Sequence, residues 1–81
     1  IKPIESALDK LRTLTGYTFH RIDTDEDMAG VVAQEVEKVL PTAVIEDDEG
    51  YKNVSTSQMQ GLIVQAINEL AAEVAAIKEK L

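Results

Sequence analysis

Four groups of residues in this chain have types and spacings that could do chemistry. Asp23-x-Asp25-x-Asp27 matches the opening of a calcium-binding loop, where alternate carboxylates converge on one cation. Such a loop needs Gly at its sixth position and Glu at its twelfth, and those positions hold Met28 and Gln34. The segment therefore reads as a solvated acidic turn, and Asp47-Asp48-Glu49 reads the same way, as a hairpin tip. His20 is the single histidine. A proton relay would need a positioned serine and an acid around it, and no nucleophile motif accompanies it. Strand alternation places it opposite Phe19, on an exposed face. Ser6 and Lys10 lie one helical turn apart, the spacing of a nucleophile–base pair. A lysine serves as a base near neutral pH only when desolvated, and Lys10 falls on the polar face of a predicted helix. These constellations predict no catalytic residue in this chain, no metal site and no cofactor.

The elements around them follow from spacing and breakers. Pro3 suits a first helical turn, where its missing N–H costs nothing. Ile4, Leu8, Leu11 and Leu14 then mark a three-turn amphipathic helix, with Gly16 as its C-terminal cap. Tyr17–Ile22 alternates with period two and predicts a half-buried strand. Met28–Val32 can pair back on it across the acidic turn. Gly30-Val31-Val32 is β-prone. From Ala33 to Leu40 the spacing turns helical: Val32, Val36, Val39 and Leu40 share one face, and Gln34, Glu35, Glu37 and Lys38 fill the other. Pro41 stops that helix, because the residue before a proline avoids the α region. Thr42–Ile45 predicts the next strand, paired with Tyr51–Val54 as a second hairpin in which Gly50 takes the left-handed position. Ser55, Thr56 or Ser57 can cap a final helix.

That helix carries the second strong signal. Ile63, Ile67, Leu70, Val74, Ile77 and Leu81 are separated alternately by four and three residues, a heptad seam. Ile67, Val74 and Leu81 are its a positions; Ile63, Leu70 and Ile77 its d positions. Ile and Val at a, with Ile at two of three d positions, favour a trimer over a dimer. Glu73 at g and Lys78 at e, five residues on, have the spacing that pairs neighbouring helices in a parallel coiled coil. Only about three heptads are present, so the seam could instead pack on its own domain. Glu69 lies outside the seam and reads as exposed, so Glu69→Gln is expected to cost less than about 0.5 kcal/mol.

Size and charge narrow the function classes. A chain of 81 residues makes one domain, residues 1–81, and buries only about 60% of its unfolded surface. It has no cysteine, so neither a disulfide nor a thiolate metal site can staple it. It has one Phe, two Tyr and no Trp, which leaves a core of Val, Ile, Leu and Ala. Oligomerisation is the remaining route to stability. A net charge of −7, with eight scattered basic residues, argues against nucleic-acid binding. No apolar run approaches the roughly 18 residues of a membrane span, so no membrane partner is expected. The chain starts at Ile1 rather than Met, which suggests a piece of a longer protein.

The string Gly30, Val31-Val32, Ala33-Gln34-Glu35-Val36, Val39-Leu40-Pro41 resembles the central signature of the C-terminal intramolecular chaperone domain of phage tail spikes, tail fibres and appendage proteins. The self-cleaving, endosialidase-type domain is its best-known member, and a related autocleaving segment occurs in a membrane-tethered animal transcription factor. Ile1-Lys2-Pro3-Ile4 with Ala7-Leu8-Asp9-Lys10-Leu11, and Gly16-Tyr17-Thr18-Phe19, look like the family's opening. Tyr51-Lys52-Asn53-Val54 and Leu62–Leu70 look like its close. The match runs in order along nearly the whole chain.

The resemblance implies an α+β fold of short helices and β-hairpins, with a long C-terminal helix (54–81) in a homotrimeric coiled coil. It implies a module that trimerises first and promotes folding of the fibre or spike portion of its own parent chain. That would happen in the host cytoplasm during phage assembly. The family resembles self-cleaving peptidases in which a Ser-Asp precedes a Lys by a few residues. That segment lies immediately before the Ile-x-Pro-Ile opening, so the cleavage site is expected upstream of Ile1 and Lys2 takes no catalytic role. Cleavage would remove the module from the mature virion. Two alternatives stand beside this reading: an uncleaved trimerisation scaffold, and a peptidase domain that retains activity.

Overall fold

The computed structural model describes all 81 residues. The first helix, α1, is Ala7–Arg12, shorter than the leucine spacing predicts. The cause is local: Ser6 is left-handed (φ 51°), which breaks the helical path from Pro3, and the C-cap is Thr13 rather than Gly16. The apolar stripe still reaches the core, because Ile4, Leu8, Leu11 and Leu14 all pack against it.

Strands β1 (Tyr17–Arg21) and β2 (Glu26–Gly30) form an antiparallel hairpin, with Phe19 opposite Met28 and Tyr17 opposite Gly30. The predicted half-burial of β1 is not found: all five of its residues are exposed. This sheet has two strands and no neighbour, so neither face is covered within the chain. A lone two-stranded hairpin is marginal in water. At its tip Asp25 takes φ 54°, a conformation that Asp tolerates better than most residues.

Helix α2 spans Ala33–Val39, and a single 3-10 turn at Pro41–Ala43 follows where the sequence predicts the start of a strand. Strand β3 is therefore only Val44–Glu46, paired with β4 (Lys52–Val54) as the predicted second hairpin. Gly50 has φ 86°, and Asp47 Oδ1 closes the loop by accepting the N–H groups of Glu49 (3.0 Å) and Tyr51 (2.9 Å). The Ser55 N–H donates to the Ala43 carbonyl at 2.7 Å and carries the chain into the last helix.

That helix, α3, runs Thr56–Glu79, a little inside the predicted 54–81. Ser55 is its cap, its hydroxyl accepting from the Gln58 N–H at 3.4 Å. At 1.5 Å per residue α3 is about 36 Å long. Its first half packs on α1, whereas every residue from Ala71 to Leu81 is exposed.

Six residues form the core: Ala7, Val36, Ala43, Met59, Leu62 and Ala66. Fifteen large hydrophobic residues are exposed, and seven of them lie between Ile63 and Leu81. The radius of gyration is 15.7 Å, against about 12 Å for a compact domain of this length. The accessible surface is 6483 Å², about 1,700 Å² more than a compact monomer of this mass exposes. The surplus comes from the standing hairpin and the projecting half of α3, both of which are apolar on at least one face.

Candidate functional site

The face that distinguishes this chain is the heptad seam of α3. Exposure along it ranges from 39% at Ile63 to 60% at Ile77, with Leu81 at 97%. Ile67, Leu70 and Val74 are likewise exposed. The seam does not pack on its own domain. The face that does is the neighbouring one, through Met59, Leu62 and Ala66. A shallow groove of about 440 Å³ follows the seam, lined by Ile67, Leu70, Ala71, Val74, Ala75 and Lys78. Glu73 and Lys78 are exposed and take no part in the ion pairs within the chain.

Glu69 is half-buried, contrary to its exposed reading from the sequence. Its Oε2 accepts the Ala7 N–H at 3.0 Å and its Oε1 accepts the Leu8 N–H at 3.2 Å. The first N–H groups of a helix have no intrahelical partner, and Ser6 makes no side-chain cap. A carboxylate there forms charge-assisted bonds and meets the positive end of the helix. Glu69 therefore ties α1 to α3. It sits next to Leu70 of the seam, so the tie and the apolar face share one turn.

The signature residues hold the body together. Val36 is fully buried, Ala33 half-buried and Gln34 exposed. Gly30 ends β2, and Pro41 opens the 3-10 turn that delivers the fully buried Ala43. Glu35 is not on the solvent face that its spacing predicts. Its Oε2 accepts the Tyr17 hydroxyl at 2.8 Å, which joins the first hairpin to α2, and its Oε1 is shielded without a partner in the chain. Lys52 Nζ donates to Glu37 Oε1 at 2.7 Å and joins the second hairpin to the same helix. The hydrogen bond to Glu37 raises the Lys52 pKa.

The residues whose types suggested chemistry are placed as structural groups. His20 Nδ1 lies 2.9 Å from Asp27 Oδ1 and its Nε2 lies 3.0 Å from Asp25 Oδ1. Both ring nitrogens thus meet carboxylates on the exposed first hairpin. Arg21 donates two bonds to the Asp23 carboxylate, which lowers the pKa of Asp23 and raises that of Arg21. Ser6 and Lys10 meet through the backbone, Lys10 N–H to Ser6 carbonyl at 3.0 Å. No group of His, Asp and Glu side chains is placed to hold a metal ion. No helix is long and apolar enough to cross a membrane.

Residues 1–45, more than half of the chain, match the family described as chaperone of endosialidase. The chain belongs to that family. It is similar to long tail fiber protein Gp37 of Enterobacteria phage K3 and of Enterobacteria phage T2. Each is 39% identical over 89 residues, an alignment that covers 99% of this chain and 7% of the relative. Gp37 of Salmonella phage S16 is 35% identical over 92 residues, covering 100% of this chain and 12% of the relative. The chain thus spans a small part of the length of these relatives. The family match ends at residue 45, before β4 and α3, whereas the similarity to the fibre proteins continues through the seam.

Proposed function

We propose that residues 1–81 form one folding and trimerisation module, carried at the C-terminal end of a phage tail fibre or spike polypeptide. The observation that carries this reading is the seam: Ile63, Ile67, Leu70, Val74 and Ile77 share one face of α3 and are left exposed by the chain's own fold, while Leu81, expected in the helix, lies just beyond its end. In a parallel trimer Ile67, Val74 and Leu81 alternate with Ile63, Leu70 and Ile77 as core layers, and Glu73 pairs with Lys78 of the next chain. A standard interface takes about 800 Å² from each partner, and each chain of a closed trimer has two interfaces. The surplus surface of this chain is of that size.

The role in folding follows from what a fibre requires. Long-range β pairing among three chains is slow and exposes aggregation-prone edges. A terminal module that trimerises first places the three fibre chains at high effective concentration and in register. Self-cleavage at a Ser–Lys site preceding Ile1 in the longer polypeptide then removes the module, and the fibre is held by its slow unfolding. Assembly takes place in the host cytoplasm. Residues 1–81 themselves hydrolyse nothing, because they carry no desolvated nucleophile–base pair.

The test uses the longer polypeptide with and without these residues. With them, intact mass should give two fragments that sum to the precursor, and the fibre fragment should remain a detergent-resistant trimer. Without them the fibre should be insoluble. One uncleaved soluble species would leave a plain trimerisation scaffold. A native, soluble fibre from the polypeptide lacking residues 1–81 would overturn the folding role.

A further inference from the structure

We propose that Val64 of one chain seats in an apolar groove on the body of the next, so that the β-bearing body joins the helix in forming the interface. The proposal rests on the trimeric reading of α3. The groove has a volume of about 400 Å³ and is lined by Gly30, Val31, Val54, Met59 and Ile63, together with the polar Thr56 and Gln60. It lies between the first turns of α3, up to Ile63 of the seam, and the ends of β2 and β4. Nothing in the chain fills it.

The heptad register names the occupant. Extending the seam by sevens puts Met59 and Ala66 at g, Leu62 and Glu69 at c, and Val64 and Ala71 at e. The chain's own body therefore covers the g and c side of α3, through Met59, Leu62 and Ala66, which are buried, and through Glu69, which caps α1. In a parallel coiled coil the g side of one helix faces the e side of the next, five residues further on. Any neighbouring helix thus presents its e side to this body, and the e residue facing Met59 is Val64. Val64 is 59% exposed in the single chain, a branched apolar side chain lying just beside the seam.

The residue types along both flanks change where the body stops. In an ordinary coiled coil e and g are charged. Here g reads Met59, Ala66 and then Glu73, Lys80, while e reads Ser57, Val64, Ala71 and then Lys78. From Met59 to Ala71 the flanks are apolar, and beyond Ala71, where α3 projects alone and every residue is exposed, they are charged. On the g side the chain's own body accounts for Met59 and Ala66, which are buried in it. The apolar e residues Val64 and Ala71 have no such cover within the chain, and the next chain's body would supply it. The groove supplies the matching apolar wall at the same level.

The test is an isotope-filtered NOE experiment on trimers assembled from labelled and unlabelled full chains. Cross-peaks between chains are expected from the Val64 methyls to the Met59 methyl and to the methyls of Val31 or Val54. Between-chain contacts along Leu70 and Ile77, with none from Val64 to the groove, would overturn the proposal and leave the trimer standing. A wild-type chain with no between-chain contacts at all would overturn the trimer as well. Val64→Lys should weaken assembly at least about tenfold, because an ammonium must leave water to enter an apolar wall. Ala72→Lys, on the outward f position, should not. Equal assembly of the two variants would also overturn the seating of Val64.

Discussion

Leu70→Asp is expected to abolish assembly while changing little within a single chain. Leu70 is 47% exposed before assembly, so the substitution removes no residue of the six-residue core. In the trimer it would place three carboxylates in one apolar layer. Each chain loses roughly 1 kcal/mol of leucine burial, because about half of the side chain is already covered before assembly. Each carboxylate must also be desolvated beside two others, at a cost of several kcal/mol per ion unless it takes up a proton. The total exceeds what a small domain can lose and still remain associated. Sedimentation velocity should show one chain mass across the micromolar range. Glu79→Gln, exposed and outside the seam, should sediment as wild type and change stability by less than about 0.5 kcal/mol. If Leu70→Asp sediments as wild type, the seam is not the assembly element.

Glu69→Ala is expected to release α1 from α3 without disturbing the seam. Two backbone N–H groups lose a charged acceptor in a part-buried site. Hydrogen bonds to charged groups contribute about 1.5–3 kcal/mol each in favourable cases, and loss of a cap alone costs about 1 kcal/mol. A loss of about 2 kcal/mol is therefore expected for Glu69→Ala. Glu69→Gln keeps one carbonyl acceptor and should lose about half as much, rather than the negligible amount that an exposed glutamate implies. Hydrogen exchange of the Ala7 and Leu8 amides should accelerate in both variants, while amides in the second half of α3 keep their wild-type rates. Unchanged exchange at Ala7 and Leu8 would remove Glu69 from this role.

The contrast between these two residues shows what was legible in the sequence. The alignment of the apolar row on one face of α3 is legible because its spacing is periodic and local, whereas its exposure is not, because packing within the chain would leave the same pattern. The second hairpin was readable for the same reason: Gly50 and the Asp47 loop are short-range turn chemistry. Glu69 was not readable, because its partners lie 61 and 62 residues away in sequence and are backbone groups that no side-chain pattern marks. Glu35 failed for a related reason. Helical spacing put it on the polar face, and that face meets Tyr17 from a hairpin whose placement the spacing does not encode. α1 starts later than the sequence predicts because Pro3 and the leucine stripe both favour a helix, whereas no residue type near Ser6 marks its left-handed conformation. The half-burial expected of β1 assumed a covering layer, and the single chain supplies none.

In the proposed trimer three copies of α3 bury the seam that each copy leaves exposed. Multi-angle light scattering of the wild-type chain during size-exclusion chromatography tests it most directly. At micromolar concentration the mass should be about three times the 8.9 kDa of one chain, falling toward one chain mass only on strong dilution. A mass of one chain that persists as the concentration rises would rule out assembly through the seam.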